Sequence, residues 1–204
     1  AFTPNEELFV VWFSAWATHY YDVSYAQVTE DGTLTIPPTR IFTEDSVDDR
    51  EPTVAVDSQG HAHIFWRRWT GDDYDIWYTQ IDTADGSYIV EPKNLIEANT
   101  VVDIFMDAVV DGSDNVHLLY CGYVWNGEEG WESPLYAKLD SSGNLLFFDK
   151  IIADDPAYDA AYFNKGIGVD SDENAHVVFT IQTAPGDWTV IYRKMNGGDG
   201  TPLT

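Results

Sequence analysis

Basic residues are scarce in this sequence: ten Lys and Arg stand against 35 Asp and Glu, a formal net charge of −25. A surface that negative repels phosphate backbones and anionic lipid, which argues against nucleic-acid and membrane-surface binding. Cations, neutral ligands and basic partners remain open. Cysteine occurs once, at Cys121, so no intramolecular disulfide can form and the redox compartment stays undetermined. Cys121 follows Tyr120 in a strand-like run without a basic neighbour to hold a thiolate, which favours a buried small hydrophobe over a reactive thiol. No apolar run approaches the roughly eighteen residues of a membrane span, and no basic-plus-apolar signal peptide precedes Ala1. An initiator Met is also missing, so the expectation is a processed product or a segment of something longer. Sustained helical periodicity, phosphate loops, Ser-His-Asp spacing and CxxC pairs do not appear.

What is present is a repeat. The stretch VAVDSQGHAHIFW, residues 54–66, recurs as AVVDGSDNVHLLY (108–120) and IGVDSDENAHVVF (167–179), and NEELFVVW (5–12) matches its second half. Trp12, Trp66, Tyr120 and Phe179 align at spacings of 54, 54 and 59 residues, and Tyr25, Tyr78, Tyr136 and Tyr192 form a second matched set. Each unit then reaches a glycine turn, at Gly32, Gly86, Gly143 and Gly200, where positive φ between paired strands is tolerated. Each period reads as four short strands, a to d, rich in Val, Ile, Tyr, Phe and Trp and separated by Gly, Asp, Asn and Ser.

A tandem four-stranded antiparallel unit of this length is the pattern of β-propeller blades. The fold expected is therefore all-β: a propeller segment, residues 1–204, of four blade-like repeats at about 1–46, 47–100, 101–155 and 156–204. The first repeat begins at the a–b turn and the last stops where strand d should start, so both are expected to be incomplete. Such edges are an association liability unless covered. Either further copies or a protein partner would complete the ring.

The unit PTVAVDSQGHAHIFW, followed by DYDIWYTQID and an Asp-Gly turn, resembles tandem propeller repeats of secreted and cell-surface archaeal and bacterial proteins, loosely sialidase-like or NHL-like. The resemblance covers nearly the whole chain and implies an extracellular or cell-surface location. A sialidase Asp box has the form SxDxGxxW on the c–d turn, and the glycine turns here lack the downstream Trp.

Candidate sites are of three kinds. His63, His117 and His176 occupy one place in three repeats, with Phe9 in the first; replacement by an apolar ring favours packing over metal ligation. Asp57, Asp111 and Asp170 open the a–b turns, where a carboxylate can accept from amides two residues on, and this is favoured over calcium binding. In the acidic d–a connections, Asp49, Asp103 and Asp159 are hard oxygen donors that could bind calcium, although no cofactor is required and a solvated acidic face explains them as well. The b–c loops carry Trp16, His19 and Tyr20; Trp69 and Tyr74; Trp125 and Trp131; and Trp188. Flat aromatic faces beside carboxylates are what a sugar-binding surface uses, and they also close the ends of blades.

A sialidase site needs three arginines converging on one carboxylate, a Tyr nucleophile and acid partners. The five arginines lie in unmatched places, and Arg67 and Arg68 are adjacent on a strand, pointing to opposite faces. The function expected is a non-enzymatic scaffold or recognition module making protein or assembly contacts. The alternatives are a glycan-binding propeller using the b–c aromatics and a sialidase-like glycoside hydrolase.

Overall fold

A computed structural model describes residues 1–15, 20–42, 46–71, 73–96, 106–125, 130–152, 165–184 and 186–203, without the side chains of 123–125, 131, 132, 165 and 182–184. Among the described residues the chain is all-β, with no helix and therefore none long and apolar enough to cross a membrane. It divides into two compact units, Ala1–Ala98 and Asn99–Thr204. Each unit holds two antiparallel sheets, and each sheet is one of the expected blades.

In the first unit, blade 1 is β1 (Leu8–Ala15), β2 (Tyr21–Val28) and β3 (Leu34–Arg40) in that order. Blade 2 is β4 (Asp49–Val56), β5 (His61–Trp69), β6 (Tyr74–Asp82) and β7 (Tyr88–Ile96). In the second unit, blade 3 is β8 (Asp107–Val110), β9 (Val116–Trp125), β10 (Gly130–Leu139) and β11 (Leu145–Ile151). Blade 4 is β12 (Lys165–Val169), β13 (Ala175–Ala184), β14 (Asp187–Met195) and β15 (Pro202–Leu203).

The incomplete ends are partly corrected. Blade 4 does begin its outer strand, because Pro202 and Leu203 pair with Met195 and Lys194. Blade 1 has three named strands, but Phe2 bridges Leu8 and Ala1 exchanges backbone bonds with Phe9, so a stump of strand a is in place. Thr3 fills the turn position of Asp57, accepting the amide of Glu7 on its hydroxyl.

The turns form for the reasons read from the residues. Asp57 Oδ1 accepts the amides of Gln59 and His61 at 2.9 and 2.8 Å, and Asp111 and Asp170 repeat the arrangement. The c–d glycines Gly32, Gly86, Gly143 and Gly200 all have φ between 72° and 86°, a region costly for any side chain.

Alternation along the strands gives every blade two faces. In the first unit, Phe9, Val11 and Tyr25 of blade 1 pack on Ala62, Ile64, Trp66 and Ile81 of blade 2. In the second, Leu119 and Tyr136 of blade 3 pack on Val177, Phe179, Ile181 and Met195 of blade 4. A fully buried side chain such as Ile64 contributes about 1.5–3 kcal/mol. Blades 1 and 2 are also stitched by two phenols: Tyr25 donates to the Gly86 carbonyl at 3.1 Å and Tyr88 to the Ile41 carbonyl at 3.2 Å. Burial pushes the Tyr88 hydroxyl up to about 12, so it stays a donor at any working pH.

Candidate functional site

The matched histidines are structural. In blade 2, His63 Nε2 lies 3.4 Å from Asp57 Oδ2 and Nδ1 lies 2.9 Å from the Tyr78 hydroxyl. In blade 3, His117 meets Asp111 at 2.9 Å and Tyr136 at 2.6 Å. In blade 4, His176 meets Asp170 at 3.0 Å and Tyr192 at 2.7 Å. Each imidazole thus ties the a–b turn to strand c of its own sheet. Lys138 and Lys194 add ion pairs to Asp111 and Asp170 at 2.9 and 2.7 Å. Burial alone would raise the Asp111 carboxyl, but the bonds from His117 and Lys138 hold it well below the usual range. The buried His117 is itself pushed down, chiefly by burial. Blade 1 has Thr3 and Phe9 in place of the aspartate and histidine, and there Phe9 stacks on the matched Tyr25 with ring centroids 5.7 Å apart.

The b–c end of the first unit is different, because polar and aromatic side chains there come to the surface. Asp48 is its node. Its Oδ1 accepts the amide of Tyr21 at 3.0 Å, its carbonyl accepts the amide of Trp69 at 2.9 Å, and its Oδ2 accepts from Arg50 Nη2 at 2.8 Å. The Arg50 guanidinium lies 4.4 Å from the Tyr21 ring centroid, and Tyr21 in turn meets Phe13 at 5.5 Å. A second series runs beside it: Glu51 accepts from Arg67 at 3.0 Å, Arg67 lies 4.5 Å from the Tyr74 ring centroid, and Tyr74 meets Trp69 edge-on at 5.1 Å.

Both series go carboxylate, guanidinium, phenol, outer ring. Both end on a ring more than a third exposed, Phe13 at 40% and Trp69 at 39%, with Tyr20 at 39% beside Tyr21. Cation–π contacts of this kind contribute about 0.5–1 kcal/mol at exposed sites, and here they also fix ring planes before any ligand arrives. Glu51 makes this possible. It sits at φ 54° in a bulge where the β4–β5 register shifts between Arg50 and Thr53, which aims Glu51 at Arg67. Arg50 Nε and Glu51 Oε2 are buried without a partner among the described residues.

Of the residues expected to bind ligand, Trp69 and Tyr74 are brought together here. Trp188 lies in the second unit, 47% exposed. Trp16 and the side chains of Trp125 and Trp131 lie outside the described residues, as do His19, Asp103 and Asp159. Asp49 is 1% exposed, and its carboxylate accepts from Trp66 Nε1 at 2.8 Å and from Arg68 at 2.6 Å. It is therefore an ion-pair partner inside the blade. Among the described residues no group of three or more His, Cys, Asp or Glu is placed to hold a metal. Arg40, Arg50, Arg67 and Arg68 each pair with a different carboxylate, Asp22, Asp48, Glu51 and Asp49. The parts of the site that sequence reasoning missed are these guanidinium bridges, together with Asp48 and Tyr21.

No family model matches the chain, and a search of curated proteins finds no match either. Solved structures do match. A protein of unknown function from Dyadobacter fermentans superposes with a TM-score of 0.69 at 9% identity, covering 99% of this chain and 65% of that one. The Hadza microbial sialidase Hz136 gives 0.62 at 11% identity, covering 100% of this chain and 45% of that one. The endo-arabinase of Bacteroides thetaiotaomicron gives 0.56 at 13% identity, covering 97% and 71%. At these identities the likeness is one of fold: sheets of the kind found in sialidase and glycoside hydrolase propellers. The chain spans less than two thirds of the length of the first two.

Proposed function

We propose that the b–c end of the first unit is a recognition surface for neutral carbohydrate, displayed outside the cell, which binds glycan without cleaving it. The observation that carries this reading is the paired series ending on Trp69 and Phe13, with their rings held by Tyr74, Tyr21, Arg67 and Arg50. Sugar C–H faces stack on such rings, while the hydroxyls need donors and acceptors at the rim, which the Asp48–Arg50 pair supplies, and the more buried Glu51–Arg67 pair props the Tyr74 ring from below. Preorganised rings lose little conformational freedom on binding, which is where affinity for a weakly held ligand is won. Neutral glycans are favoured over anionic ones because the net charge of −25 repels polyanions at a distance, and because each guanidinium already has its carboxylate. The likeness to carbohydrate-active propellers agrees with this reading.

The test is a glycan array carrying neutral and sialylated oligosaccharides, followed by calorimetry on any hit with wild type and Trp69→Ala. Neutral hits that weaken tenfold or more in Trp69→Ala, about 1.4 kcal/mol, are expected. A silent array, or unchanged affinity in the variant, overturns the proposal. Release of reducing ends from a bound glycan would replace it with the glycoside hydrolase reading.

A further inference from the structure

The two outer rings of the candidate site stand on opposite sides of one sheet. Phe9 and Val11 pack on blade 2, and alternation along β1 puts Phe13 on the same face, in the cleft between blades 1 and 2. Tyr21, in step with Val23 and Tyr25 on β2, stands beside it. On blade 2 the residues that meet blade 1 are Ile64 and Trp66, continued by Arg68 with its guanidinium 4.0 Å from the Phe42 ring centroid. Trp69 is out of step with these three and faces the other way, as Arg67 does. The tip of β5 therefore separates the rings. Phe13 is rooted in one sheet and Trp69 points away from it off the next, and packed sheets lie ~10 Å apart. One sugar ring is too small to stack on both.

Asp48 spans the gap. Its carbonyl accepts the Trp69 amide at 2.9 Å and its Oδ1 accepts the Tyr21 amide at 3.0 Å, so one residue fixes the backbone beneath each platform. Its Oδ2 holds Arg50, whose guanidinium lies over Tyr21, and both side chains of this pair keep part of their surface in solvent. Resting on the carbohydrate reading of this site, we infer that the occupant is a neutral oligosaccharide chain laid across the tip of blade 2. One of its sugars stacks on Phe13 and another, further along, on Trp69, while hydroxyls of the stretch between them meet Asp48 and Arg50. A monosaccharide engages one ring only. A chain gains because its second stacking contact is made from an already bound ligand, at the effective concentration that the short span sets. Rings already held in place add to that gain, since the protein orders little on binding. The site thus selects for chain length across two blades, which a single aromatic platform does not.

Calorimetric titration with cello-, xylo-, manno- and arabino-oligosaccharides, each from the monosaccharide to the hexasaccharide, tests this on wild type, Phe13→Ala and Trp69→Ala. Both positions are exposed, and circular dichroism checks that each variant keeps its fold. In wild type at least one series is expected to gain about tenfold or more in affinity along its length. Each alanine variant should erase that gain and bind the hexasaccharide no better than the monosaccharide. Phe13→Tyr and Trp69→Phe keep a ring in place and should keep the gain. Equal affinity along every series, or a gain that survives in one of the alanine variants, overturns the bridging and leaves a single-ring glycan site standing. Silence of every series overturns the bridging as well. Only if the neutral glycan array is silent too does the carbohydrate reading fall with it.

Discussion

Arg67 and Arg68 are neighbours on one strand and have opposite fates. Arg68 points inward, 9% exposed, with Asp49 at 2.6 Å and the rings of Phe42 and Trp77 at 4.0 and 5.0 Å. Arg67, its side chain 14% exposed, faces the other way, paired with Glu51 and lying over the Tyr74 ring. Both have a carboxylate and an aromatic partner, so residue type does not separate structure from recognition here. The pleat does: a single step along the strand turns the same chemistry from the face against Phe42 and Trp77 to the face that leads through Tyr74 to the exposed Trp69.

The sharpest way to break the comparison is at Arg68. Arg68→Ala leaves the Asp49 carboxylate buried and uncompensated, and urea denaturation should show a loss of about 3–5 kcal/mol. Asp49→Asn in the same chain should recover much of it, since the two residues form one coupled unit. Arg67→Ala breaks a pair whose side chains are 14% and 20% exposed and leaves the less deeply buried Glu51 behind, so it should cost less, about 1–3 kcal/mol of stability. It should still weaken glycan binding several-fold by releasing Tyr74 and hence Trp69. If Arg67→Ala leaves glycan binding unchanged, or Arg68→Ala weakens it as much, the division of labour between the two arginines fails.

A smaller effect separates the histidines. Burial holds His117 below its ordinary value near 6.5, so the folded state takes up fewer protons than the unfolded one as pH falls below about 6.5. Stability should therefore decline across that window. A second loss should appear below about 4, where the unfolded chain protonates its aspartates while Asp111 resists. His117→Phe, which installs the blade 1 residue, should lower stability overall and flatten the first limb. Thermal melts between about pH 7 and 3 would show an unchanged first limb if His117 is not its source.

The repeats made most of the fold legible before any coordinates. The turn aspartates, the c–d glycines and the matched tyrosines each recur for a local reason, a carboxylate that caps amides or a residue that tolerates positive φ. The bond from His117 to Tyr136 was not legible, although both residues were in register, because it joins residues nineteen apart across a hairpin of variable length. The candidate site was half legible. Trp69 and Tyr74 stood out as loop aromatics, but the guanidinium that props them depends on the bulge at Glu51, and Pro52, which is compatible with a bulge, does not say which neighbouring side chain the bulge turns toward Arg67. Asp49 was misleading for a related reason: an acidic run hides which of its members turns inward.

The paired phenols of blades 1 and 2 have a consequence for how this unit opens. Tyr25 belongs to one sheet and holds a carbonyl of the other, and Tyr88 does the reverse. Neither sheet can peel away without breaking a bond rooted in its partner. Their amides should therefore lose protection from hydrogen exchange together, as one cooperative element.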